Sequence, residues 1–245
     1  MNDYILNLGY IYPDILNSET GSLDVFKYRL EKRGIELNIN KINYGSEISE
    51  NDIYFFTGGS DKSVDNACAE LNKYKTFFEK EAEEGKVILG FDSGFTILTG
   101  HREYKNGKKV EGLGLIRAYS KQEDKRFTGN VIADLNIAEQ YGFTKDKLLG
   151  FENHGWHIFL GKETKPLAKV IQGKGNNGKD KTEGAIYKNV VGTWLRGPVM
   201  ANNPDFADFI LKLAIEKKYG KEVKLNELND TEEKAVYTEL LTKKY

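Results

Sequence analysis

Val87-Ile-Leu-Gly-Phe-Asp-Ser-Gly94 is the stretch on which the fold turns. Its first five residues are apolar without alternation, which suits a strand covered on both faces. Asp92 and Ser93 follow between glycines, and Phe95, Ile97 and Leu98 then recur at helix-like spacing. Working outward, Ile53–Thr57 is a second short apolar run, stopped by Gly58-Gly59. Between the two, Asp61–Glu84 carries Lys and Glu with apolar residues at helical spacing, and Gly85 closes it as a surface helix. Tyr4–Tyr12 is a β-rich run that stops at Pro13-Asp14. Ser22–Arg33 places Leu23, Phe26, Tyr28 and Leu30 on an amphipathic helix with Gly34 as C-cap, and Ile35–Ile42 alternates as a half-buried strand. Strand, helix, strand, strand, helix, strand, helix predicts an α/β fold: a mostly parallel sheet with helices on both faces.

The second half reads differently. From Val110 to Trp194 short alternating runs are broken by Gly and Asn, which predicts antiparallel pieces and hairpins. Pro204–Lys218 and Thr231–Lys244 are helical patterns with Asn203 and Asp230 as N-caps, and Gly220–Asn229 is a connector. Without an internal repeat or a long linker, residues 1–218 read as one domain and residues 219–245 as a C-terminal helical extension.

Composition narrows the class. Over 245 residues, 39% are hydrophobic, with 14 Tyr and 13 Phe, too aromatic for a disordered chain and too interrupted by charge for membrane insertion. Lys plus Arg is 36 against 37 Asp plus Glu, a net charge of −1 that argues against a protein built to grip nucleic acid or an anionic membrane. The single cysteine, Cys68, excludes an internal disulfide and a multi-Cys zinc site. The opening MNDYILNLGYIY lacks a basic stretch before its apolar run and reads as a first strand, so a cytoplasmic home is expected, and no cofactor.

Gly90-Phe91-Asp92-Ser93-Gly94 has the frame of a nucleophile elbow, with Asp92 at the apex; an N-capping Asp on a tight turn is the plainer reading. The backbone N–H groups of Gly58-Gly59 suit an oxyanion hole, or else a simple turn between strand and helix. Gly173-Lys-Gly-Asn-Asn-Gly178-Lys179 nearly spells a phosphate-binding loop, but Asp180 stands where a hydroxyl is needed and a strand follows, so a hairpin loop is expected. His154 and His157 lie three apart around Gly155, a poor metal face, and His101 reads as solvated. Cys68 reads as a mid-helix packing residue.

Several longer runs carry a resemblance. Leu8-Gly-Tyr-Ile-Tyr-Pro-Asp-Ile-Leu-Asn17, Phe56-Thr-Gly-Gly-Ser-Asp61, Gly150-Phe-Glu-Asn-His-Gly155, Thr182-Glu-Gly-Ala-Ile-Tyr-Lys-Asn189 and Gly192-Thr-Trp-Leu-Arg-Gly-Pro198 are among them. Arg126 through Asn130 and Leu228-Asn-Asp-Thr-Glu-Glu-Lys-Ala235 extend it almost end to end. The chain resembles class I glutamine amidotransferases of the cobyric-acid-synthase type, and among them the glutaminase subunits of lipid II isoglutaminyl synthases. The resemblance implies their α/β fold and glutamine hydrolysis, in which an elbow cysteine attacks the side-chain amide and a histidine moves the proton. Ammonia then passes to a Mur-ligase-like partner in amidation of a peptidoglycan precursor.

The same resemblance places departures at the chemistry. The family elbow runs Cys-Gly-Gly where this chain has Asp92-Ser93-Gly94, and Arg196 stands at the histidine position. A family Tyr-Gly-Asp-x-Gly-Asn loop is replaced by Glu19-Thr-Gly-Ser-Leu-Asp24. Arg126 is at the position expected to hold the substrate carboxylate; Asn130 and His154 join it as candidate pocket residues, beside Gly58, Gly59 and Ser93 at the oxyanion side. A helix N-terminus is expected to hold Asp92 ionised, and a permanently protonated Arg196 cannot relay protons, so an inactive subunit is expected with the two side chains in a salt bridge. The alternatives are an active hydrolase using Asp92 or Ser93, and a stand-alone protein binding glutamine or another amino acid.

Overall fold

A computed structural model describes residues 4–135 and 147–242. β1 (Ile5–Ile11), β2 (Glu36–Ile42), β3 (Ile53–Phe56), β4 (Val87–Phe91), β11 (Ala185–Tyr187) and β12 (Val190–Thr193) form one sheet in the order β11-β12-β4-β3-β1-β2. All its pairs are parallel except the edge pair β11–β12. The apolar runs fill both layers. Ile53 and Phe55 of β3, with Leu89 and Phe91 of β4, pack with α1 (Gly21–Glu31) and later helical residues such as Phe206 and Ile210. Tyr54, Phe56 and Ile88 face the opposite layer, built by Val64, Leu71, Phe78, Phe95 and Leu98. Helices thus cover both faces, as the unalternating strands require.

The pattern over Asp61–Glu84 is two helices, not one: α2 (Asp61–Leu71) and α3 (Lys75–Glu83), joined by a 3₁₀ turn at Asn72–Tyr74. The tighter turn changes the helical phase, and the consecutive Phe77 and Phe78 both meet the Tyr54 ring edge-on, at 5.9 and 5.2 Å.

The antiparallel pieces expected after Val110 are present, but two of them are long. β7 (Ala118–Leu135) and β8 (Lys147–Leu160) are long antiparallel partners, the spine of a second, mixed sheet with β5 (His101–Glu103), β6 (Lys109–Glu111), β9 (Ala168–Gln172) and β10 (Thr182–Glu183). Glycines that looked like chain breaks lie inside the ladder, and at Gly150 a neighbouring side chain approaches closely. A Cβ on Gly150 would lie 2.8 Å from the Leu195 side chain. A bulge between Gln122 and Phe127 interrupts the β7–β8 register.

The chain continues through α4 (Gly94–Leu98), α5 (Val199–Asn202), α6 (Pro204–Tyr219) and α7 (Thr231–Thr242); the last residues of the predicted Thr231–Lys244 helix lie outside the described residues. Asn203 sits at the α6 N-cap position, but its side chain does not cap. Its Oδ1 accepts from Leu149 N–H and its Nδ2 donates to the Leu149 and Val199 carbonyls, which staples β8 to α5. The Asp230 carboxylate likewise serves elsewhere, accepting from the buried Arg29 guanidinium at 2.8 and 3.1 Å. Among the described residues no helix is long and apolar enough to cross a membrane.

Candidate functional site

β4 delivers its last residue into a sharp turn. Asp92 adopts φ 55°, a left-handed conformation that is costly for a residue with a Cβ. Its N–H donates to Thr193 O at 2.9 Å, which ties the turn to β12. The flanking glycines are enforced by contact: a Cβ on Gly94 would lie 2.4 Å from Phe56 O, and one on Gly90 would lie 2.6 Å from Leu98 Cδ1. The Gly-x-Asp-x-Gly frame therefore builds an elbow that presents Asp92 at the carboxyl ends of the parallel strands, where open α/β sheets place their sites.

The Gly58-Gly59 loop at the end of β3 faces this elbow. Gly58 N–H donates to Ser18 Oγ at 2.8 Å and Gly59 N–H to Ser93 Oγ at 3.0 Å. Arg196 Nη1 lies 3.6 Å from Asp92 Oδ2. Asp92 is 6% exposed, and burial raises its pKa above the usual aspartate value against the opposing pull of Ser18, Arg196, His154 and the Ser93 N–H. The shift runs in the direction opposite to the one a helix N-terminus alone would give. α4 has five residues, and desolvation outweighs what so short a helix contributes.

Two further residues belong here that the sequence did not single out. Ser18 contacts both Gly58 and Asp92. Glu19 is 3% exposed, and burial raises its carboxyl, opposed by Ser22; Asp92 pushes it further up while Arg196 pulls it down. Glu19 stands just before α1 and heads the 19–24 segment, where a departure from the family motif was visible without showing that an acid would be carried into the pocket. Two acids thus face one guanidinium.

The other predicted residues lie on the second sheet. Arg196 N–H and C=O pair with Phe151, itself opposite Asn130 on β7. The Arg196 guanidinium lines a cleft of about 320 Å³ with Asn130, Gly150, Phe151 and Leu240. Arg126 lies in the β7 bulge, where Nε and Nη2 donate to the Asn153 side-chain and backbone oxygens at 2.7 and 3.0 Å. It borders a different cleft, of about 470 Å³, with Lys125, Asn130, Glu152 and Lys174. Asn130 is common to both clefts; Arg126 and Arg196 are not brought to one.

His154 is buried, its ring stacked on Trp194 at 4.1 Å. Trp156 O accepts at 2.6 Å from Nδ1, which therefore carries the hydrogen, and Nε2 lies 3.8 Å from Glu152 Oε2. The glycine-rich loop at 173–179 is a hairpin loop between β9 and β10, as expected, and it does cradle an anion. The Lys174 and Gly175 N–H groups each donate at 2.8 Å to the Glu152 carboxylate. Burial lowers the pKa of His157, whose Nε2 meets Lys125 O at 3.0 Å. Cys68 is packed in the core, and burial pushes its thiol up to about 12. Among the described residues, no three His, Cys, Asp or Glu side chains are grouped to hold a metal ion.

Comparison with known proteins places this geometry. The CobB/CobQ-like glutamine amidotransferase domain family matches residues 7–204. The lipid II isoglutaminyl synthase (glutamine-hydrolyzing) subunit GatD of Streptococcus pneumoniae is 32% identical over 93% of this chain and 87% of its own. The GatD subunit of Staphylococcus aureus is 34% identical over 87% of this chain and 86% of its own. Among solved structures, a glutamine amidotransferase from Thermotoga maritima superposes with a TM-score of 0.56 at 15% identity, covering 96% of this chain and 94% of that one. PurLQS from the same organism gives 0.55 at 18% identity over 88% and 96%, a likeness of fold.

Proposed function

This chain belongs to the CobB/CobQ-like glutamine amidotransferase domain family, and from that premise we propose that it is the amidotransferase-like subunit of a lipid II-amidating enzyme, seated beside a Mur-ligase-like synthetase subunit, with its own glutaminase centre silent. Similarity to two GatD subunits along most of their length supports the assembly. The silence rests on one observation: Asp92 and Arg196, at the positions where the resemblance implies cysteine and histidine, face each other at 3.6 Å in the elbow.

Hydrolysing an unactivated amide needs a strong nucleophile, a group that accepts and returns its proton, and donors for the developing oxyanion. The elbow still presents its central side chain. A carboxylate is a weak nucleophile towards an amide, and a guanidinium that never deprotonates can serve as neither base nor useful acid. The ion pair keeps the signs of a thiolate–imidazolium couple without its proton traffic and plugs the pocket. His154 does not stand in for the missing base: its lone-pair nitrogen Nε2 is buried 3.8 Å from Glu152 Oε2 and hydrogen-bonds neither Asp92 nor Ser93. Ser93 has no base hydrogen-bonded to its hydroxyl, which bonds Gly59 on both sides. Loss of groups that act as a unit removes on the order of 10⁶ in kcat.

The test is ammonia release from glutamine. The unmodified chain is expected to release none above background, whereas the Asp92→Cys, Arg196→His double variant regains turnover on an intact scaffold. Ammonia from the unmodified chain at rates typical of enzymes would refute the silent centre. Co-purification of a ligase-like subunit with the tagged chain tests the assembly, and its absence from its own cells' extracts would favour a stand-alone role.

A further inference from the structure

We propose that the oxyanion hole of this elbow is filled from within, by the Ser18 hydroxyl on the Gly58 amide and the Ser93 hydroxyl on the Gly59 amide, so that the centre is closed at a second place besides the exchanged pair. The inference rests on reading the pocket as an amidotransferase centre, and it concerns the donors, not the nucleophile.

The geometry is specific. A Cβ built on Gly58 would lie 2.4 Å from Ser93 Oγ, 2.6 Å from Asp92 Oδ2 and 2.7 Å from Ser18 Oγ, so three oxygens converge on one patch of backbone. The N–H groups there are already spent, at 2.8 Å on Ser18 and 3.0 Å on Ser93. These are the lengths an oxyanion hole reserves for the reacting oxygen. Ser93 is anchored from both sides, because its own hydroxyl donates back to Gly59 O at 3.3 Å. An internal hydroxyl tethered at the hole competes at high effective concentration with any incoming carbonyl. Its removal returns buried donors that must find another acceptor. Ser93 also stands where the resembled elbow has glycine, which carries no side chain to reach back.

Restoring cysteine and histidine alone therefore brings back only slow turnover, because the Gly58 and Gly59 donors stay occupied. In the full chain, adding Ser18→Ala and Ser93→Gly to the Asp92→Cys, Arg196→His variant is expected to raise kcat by about 10²-fold or more, with a smaller change in KM. Equal kcat in the double and fourfold variants overturns the proposal, and so does a fourfold variant that folds with unchanged secondary structure yet turns over no faster than background. Amide hydrogen exchange reads the hole without any turnover. In the otherwise unmodified chain, Ser18→Ala should speed exchange at Gly58 and Ser93→Gly at Gly59, each by about tenfold or more. Exchange unchanged at both glycines overturns the proposal. Glutamine hydrolysis by the unmodified chain would instead defeat the silent-centre reading and leave the exchange measurement to judge the hole.

Discussion

Glu183 shows how a single buried acid sets the response of the protein to pH. Its side chain is fully enclosed; Oε1 accepts from Thr193 Oγ1 at 2.6 Å and from Trp194 N–H at 3.0 Å, while Oε2 has no hydrogen-bond partner. Burial pushes its pKa up to about 7, against the two hydrogen bonds and with help from Glu152. The folded chain therefore keeps this proton where the unfolded chain has lost it. The stability tied to the protonated form is complete below the ordinary glutamate value of 4.5 and drains away as pH rises to about 7. The amount is on the order of 3 kcal/mol. Urea midpoints measured from pH 4.5 to 8 should fall for the unmodified protein, and Glu183→Gln should flatten that fall; parallel curves for the two would count against it. Asp92 and Glu19 shift in the same direction, so the neighbourhood of the elbow gains nothing from alkaline conditions.

At the scale of elements, one charged knot fixes the C-terminal helix. Arg29 on α1, 2% exposed, bonds Asp208 on α6 and Asp230 just before α7, while Arg33 takes the other side of Asp208. Farther along α7, Tyr237 is buried and its hydroxyl donates to Lys147 O at 3.2 Å. Asp230→Ala leaves Arg29 paired with Asp208 but frees the start of α7. A loss of about 1–3 kcal/mol and faster proteolysis beyond residue 220 are the expected outcomes, and an unchanged digestion pattern would show that α7 is held by packing alone. The sequence revealed the helix but not the knot, because its partners lie 201 residues apart in the chain. The same limit explains Asn203, whose pattern said N-cap while β8, distant in sequence, claimed its amide. The antiparallel character of β7 and β8 was legible but not their length, because their Gly and Asn residues read as breaks, and nothing local announces that Leu195 will press against Gly150. The strand–elbow–helix unit, by contrast, was legible: its glycines, apolar run and apex are contiguous from Val87 to Gly94.

Across the whole molecule, the two sheets are joined by a seam at Trp156. Its indole N–H donates to Asp61 at 2.8 Å, its face receives the Arg102 guanidinium at 4.1 Å, and Tyr104 packs edge-on at 4.9 Å. Arg102 is completely enclosed and also reaches Thr96 on α4 at 2.7 Å and Asp61 at 3.2 Å, so the hairpin sheet is bound to the helices flanking the elbow. Trp156→Ala should cost about 3–5 kcal/mol while secondary structure and tertiary signals still vanish in one transition; two separated transitions would show that the sheets hold together without this seam. The architecture at the elbow also has a practical corollary. Because the chain's single native sulfhydryl, Cys68, is locked in the core and reluctant to ionise, a cysteine introduced at Asp92 would be the sole target for maleimide or disulfide reagents in the folded state. The stoichiometry and pace of labelling would then report the accessibility and nucleophilicity of the elbow directly, with no competing background to subtract.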